Sequence, residues 1–126
     1  METNIQNIIN KVYPKISKDY SCNAKVELHK SIFTRLNVIP AIEEDNSCAE
    51  YDWSENKIYI YSINTNKEED IIKALIHECV HSNQNKELFD TYYFIGLDYN
   101  TNPYEIEAEY EEQNWKKYKI NTNKIG

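Results

Sequence analysis

Two of the three histidines fall in one pentapeptide with a glutamate between them, His77-Glu78-Cys79-Val80-His81. Four residues turn a helix through about 400°, so the two histidines project within about 40° of each other, one turn apart. Imidazoles so placed can share one zinc ion. Glu78 lies about 100° around the helix from His77 and about 60° from His81, beside such an ion and not pointing into it. A carboxylate in that position can hold a water at the metal and accept its proton, which makes Glu78 the candidate general base.

Catalytic zinc takes three protein ligands and leaves a fourth position open. The only other histidine, His29, sits on a separate extended segment. The better source of a third ligand is Pro103-Tyr104-Glu105-Ile106-Glu107-Ala108-Glu109, where a carboxylate on a second helix can face the first. Glu105 and Glu109 are four apart and share a face, whereas Glu107 is turned about 200° from Glu105. Ala108 falls on the Glu105 side, where a small residue permits close helix contact. Cys79 points to the apolar side and belongs to the core. Cys22, Cys48 and Cys79 are odd in number and form no CxxC pair, so they read as free thiols and not as a zinc knot. Tyr92, Tyr93 and Tyr104 read as packing residues, any of which could donate a hydrogen bond to an oxyanion.

These residues need rigid carriers. Thr65-Asn66-Lys67-Glu68 has the pattern of a capping box, and the acidic residues that follow suit the positive end of a helix. Ile71, Ile72, Leu75, Ile76, Cys79 and Val80 then give Glu68–Ser82 a broad apolar face, which predicts a central buried helix. Pro103 suits a first helical turn, and Glu105–Lys119 is acidic early and basic late, as the helix dipole prefers. Between them, residues 83–102 lose periodicity and read as a long connection. Upstream, Ile5, Ile8, Ile9, Val12, Tyr13 and Ile16 predict an amphipathic helix capped by Thr3 or Asn4, with Pro14 kinking it or ending it near Tyr13. Residues 25–41 read as two extended pieces, Val26–Leu28 and Ile32–Val38, closed by Pro40 and followed by a polar turn over Glu43–Ser47. Glu50–Trp53 and Lys57–Ser62 flank a turn-prone Ser54-Glu55-Asn56 and predict a β-hairpin. Tyr59 and Tyr61 mark its second strand as an edge where an extended substrate could add.

Together the motif and its carriers resemble the gluzincins, zinc peptidases with a glutamate helix after the H-E-x-x-H helix, and among them the minimal ImmA/IrrE-like proteases. The resemblance spans about Ile58 to Tyr118. It implies an α+β minimal zincin, with an N-terminal helix, a small twisted sheet, the active helix and a C-terminal glutamate helix. In that family His77, His81 and Glu105 would be the zinc ligands, Glu78 the general base, and Glu109 the residue that orients a ligand histidine. The implied activity is hydrolysis of a peptide or protein substrate. Glu111 and Glu112 stand where the ImmA/IrrE-like sequences commonly have an aromatic residue and an alanine. The rival reading keeps the zinc and drops the chemistry: a regulatory or interaction module in which the ion only fastens two helices together.

Composition narrows the remaining classes. The 126 residues carry 21 acidic and 14 basic side chains, a formal charge of −7, which repels phosphate backbones and anionic lipid surfaces. Hydrophobic residues make up 40% of the chain, too many for disorder and enough for the core of one domain. The N-terminal stretch has neither a signal-peptide pattern nor a membrane-spanning run, which predicts a cytoplasmic protein without a membrane or nucleic-acid partner.

Overall fold

A computed structural model describes residues 2–38 and 46–120. Its first helix, α1 (Glu2–Asp19), buries Ile5, Ile9, Val12 and Ile16 along one stripe. It does not end at Tyr13, and it begins ahead of the expected cap. Proline inside a helix costs about 3 kcal/mol. Here Pro14 faces solvent, and burial of a side chain such as Ile16 returns about 1.5–3 kcal/mol. The far end is also fastened, because the Ser17 hydroxyl donates to the Cys22 carbonyl.

The sheet contains β1 (Lys25–His29), β2 (Ala49–Asp52) and β3 (Lys57–Tyr61) in the order β1-β3-β2. β1 runs parallel to β3, and β2 pairs antiparallel with it as the expected hairpin. Asn56 takes the left-handed conformation at the turn, φ 54°, which Asn tolerates better than most residues. The placement of the edge needs correction. Tyr59 and Tyr61 lie on the central strand, and β2 is the edge beside the histidine helix. The Tyr61 amide donates to the Cys48 carbonyl at 2.9 Å, and antiparallel pairing alternates. The backbone groups of Glu50 and Asp52 therefore face β3, and those of Ala49 and Tyr51 face the open side.

The second extended piece is also corrected: Ile32–Leu36 is a short helix, α2. Ser31 caps it by accepting from the Thr34 amide at 3.2 Å, and Asn37 ends it in the left-handed region. Local capping thus overrides the β-branched start of the segment. Pro40 and residues 43–45 lie outside the described residues.

α3 (Glu68–Ser82) has the expected bounds, but no capping box starts it. Lys67 is the N-cap, the Thr65 hydroxyl donates to the Cys48 carbonyl at 2.9 Å, and the Glu68 carboxylate accepts from the Ile120 amide. Ile71, Ile72, Leu75, Ile76 and Cys79 are fully buried, and α3 packs against α1, the sheet and the C-terminal helices. The stretch expected to be a long connection contains α4 (Lys86–Phe94), capped by Asn85 and with no buried residue. α5 (Pro103–Glu111) follows and tightens into a 3₁₀ segment over Glu112–Tyr118. Among the described residues the fold is α+β, five α-helices around one small mixed sheet. No helix among them is long and apolar enough to cross a membrane.

Candidate metal centre

α3 is apolar on its core side, so its polar motif is forced to the opposite face. His77, Glu78 and His81 there line a cleft of about 950 Å³, bounded by β2 on one side and by α4 and α5 on the other. α5 supplies the third group. Asn102, itself fully buried, caps α5 by accepting from the Tyr104 amide at 2.9 Å, and Pro103 occupies the first turn. Ala108 is fully buried where the helices meet, and Glu105 is presented to the histidines.

The three side chains converge on a point. Glu105 Oε1 lies 3.0 Å from His77 Nε2 and 2.9 Å from His81 Nε2. The two rings stand nearly perpendicular, 4.7 Å apart. His77 Nδ1 is 2.6 Å from Glu112 Oε2, and His81 Nδ1 is 2.7 Å from Gln84 Oε1. The Gln84 amide is oriented by its own donor group, which gives hydrogen bonds to the Tyr104 carbonyl and to Glu107 Oε1. Both Nδ1 atoms therefore face acceptors and must carry hydrogen. Neutral rings then aim their Nε2 lone pairs at a carboxylate oxygen, and three acceptors in contact require a cation among them. A divalent metal meets that need, and neutral imidazoles with one carboxylate suit zinc.

Without metal, protons meet it. Burial alone would favour the neutral form of His77, but the Glu105 and Glu112 carboxylates outweigh it and raise its pKa to about 10. Burial opposes the charge on Glu105, yet hydrogen bonds from His77, His81 and Tyr93 hold its carboxyl well below the usual carboxylate range. The Tyr93 hydroxyl donates to Glu105 Oε2 at 2.7 Å, which leaves Oε1 to the histidines.

Glu78 is 6% exposed and lines the cleft beside this group without belonging to the convergent set. Burial raises its pKa against the lowering effect of the two histidines, which makes it a stronger proton acceptor than a solvated carboxylate.

His77, Glu78, His81 and Glu105 are thus brought together, and His29 pairs instead with Glu27 on β1. Glu109 does not orient a histidine: it is exposed, and Glu112 takes that role from the next turn. Glu107 is also exposed, but it reaches the site indirectly through Gln84. Tyr92 and Tyr104 pack edge-on against each other. Gln84, Glu112, Trp53, Phe89 and Tyr99 escaped sequence reasoning. Glu112, seven residues after Glu105 and so two turns along the same face, carried a usable signal. Trp53, Phe89 and Tyr99 come from three separate segments and carried none. Comparison with protein-family models, curated proteins and solved structures gives no match to this chain.

Proposed function

We propose that the protein is a zinc-dependent metallopeptidase of the minimal gluzincin kind, hydrolysing peptide bonds in an extended substrate. The observation that carries this reading is the meeting of His77 Nε2, His81 Nε2 and Glu105 Oε1 at the floor of an open cleft. When bound there, zinc supplies Lewis acidity, making water a nucleophile near neutral pH and polarising the carbonyl under attack.

The chain's own residues do the rest. Glu112 and Gln84 fix the imidazoles through their Nδ1 atoms so that both Nε2 atoms turn towards Glu105 Oε1, an arrangement that would remove reorganisation from the reaction. Glu78 accepts the proton of the attacking water at its carboxylate and returns it to the leaving amine nitrogen. The edge of β2 orients the substrate, since the outward backbone groups of Ala49 and Tyr51 can pair with an extended peptide laid in the cleft.

The reading is tested with zinc-loaded protein and a mixed-sequence peptide library analysed by mass spectrometry. Cleavage that disappears in Glu78→Gln at unchanged zinc content is expected. An uncut library at full zinc occupancy would transfer the site to the structural-module reading.

A further inference from the structure

One wall of the cleft has no part in metal binding or proton transfer. Trp53 directly follows the edge strand β2, and Phe89 lies on α4. Their rings are 5.0 Å apart and tilted by 50°, and both line the cleft. Trp53 stands 6.0 Å from the His81 ring and Phe89 5.0 Å, which places the pair immediately beside the metal-ligand cluster. Tyr51 meets Trp53 edge-on at 5.1 Å from the strand itself.

These rings are held in place. The indole Nε1 donates to the Gln84 carbonyl at 3.4 Å, and Phe89 is braced by Tyr93 at 5.3 Å. Yet neither is buried. Fixed, half-buried aromatic rings beside such a cluster keep some apolar area in water that a ligand can cover. The occupant follows from continuity: a peptide added along the open side of β2 runs past Tyr51 to Trp53, so a side chain near the bond over the cluster lies against the surface that the two touching rings present. The opposite end of the cleft, lined by Asn46, Ser47, Asn64, Thr65 and Asp70, is polar and offers no comparable surface.

We propose that Trp53 and Phe89 form a specificity subsite for a large apolar, preferably aromatic, side chain next to the scissile bond. The proposal rests on the peptidase reading above. Ring-to-ring contact gives aromatic side chains an advantage beyond their area. Covering such a side chain favours a phenylalanine peptide over its alanine counterpart by about 10- to 100-fold in affinity.

Equilibrium binding separates this from activity. Zinc-loaded Glu78→Gln protein is titrated with blocked pentapeptides that are all alanine, or alanine with a central phenylalanine or a central lysine. The phenylalanine peptide should bind at least tenfold more tightly than the other two. Trp53→Ala and Phe89→Ala should each erase that preference while zinc affinity stays within about twofold, with Trp53→Leu and Phe89→Leu as milder variants should either alanine form fail to fold. Equal binding of the phenylalanine and alanine peptides overturns the subsite alone. So does an intact preference in the variants with weakened zinc binding, which would make the wall a mere shield for His81. If no peptide binds at all, the peptide-cleft reading and the subsite fall together.

Discussion

Glu105 does two jobs with two oxygens. Oε1 meets both histidines, and Oε2 is occupied by the Tyr93 hydroxyl. Glu105→Gln replaces an anion with a neutral amide and is expected to lower zinc affinity most among the nearby acidic residues. Glu112→Gln should lower it by about 10- to 100-fold, because Glu112 only orients His77, and exposed Glu109→Gln should leave it unchanged. Titration against a competing chelator ranks all three. On the proposed peptidase reading, Glu78→Gln should still bind zinc and lose roughly two to four orders of magnitude in peptide-cleavage rate. Proton linkage supplies a test on the metal-free form. His77 has a folded pKa raised from 6.5 to about 10, so its contribution to stability is complete below the unfolded value and is lost as pH rises through the folded one. After chelation the melting temperature should fall between these limits, and His77→Ala should flatten that slope. Helical azimuth, which depends on position alone, was enough to put His77, Glu78 and His81 on one face of α3, whereas choosing Glu105 from its helix also leaned on Ala108 and on the family resemblance. Gln84 was hidden because it lies past the end of α3, where azimuth no longer applies.

Elements were legible where periodicity and tertiary demand agree. Residues 68–82 announce α3 by an apolar face that the core then fills, and the hairpin of β2 and β3 announces itself by its turn. Ile32–Leu36 and Lys86–Phe94 were not legible as helices, because neither has a buried residue. Their caps, Ser31 and Asn85, decide the matter locally. α1 fails differently: Pro14 signals a break that long-range burial of Ile16 overrides. Since Pro14 is exposed inside a helix, Pro14→Ala restores a backbone donor without touching the core. It should stabilise the protein by about 1–3 kcal/mol, read as a higher midpoint in urea at unchanged slope.

The whole molecule is organised around α3, which touches α1, the sheet and α5. A metal held by His77 and Glu105 ties helices whose ligands are 28 residues apart in sequence, so loading should raise the melting temperature by mass action, about 2.7 kcal/mol of stabilisation at a hundredfold excess over Kd. A scan with and without chelator measures it, and His81→Ala should abolish most of the difference. The segment inside that tie is α4, which owns no buried residue and is held to α5 by the Asn102 amide on the Phe89 carbonyl, the Tyr93 hydroxyl on Glu105 and the edge-on contact of Tyr92 with Tyr104. Its backbone amides therefore open at low cost, and deuterium should enter residues 86–94 well before α3. Because one of those tethers ends on Glu105, which would hold the ion on the proposed reading, the rate of that local opening should double as a gauge of whether the cluster is loaded, readable at each amide without any substrate present.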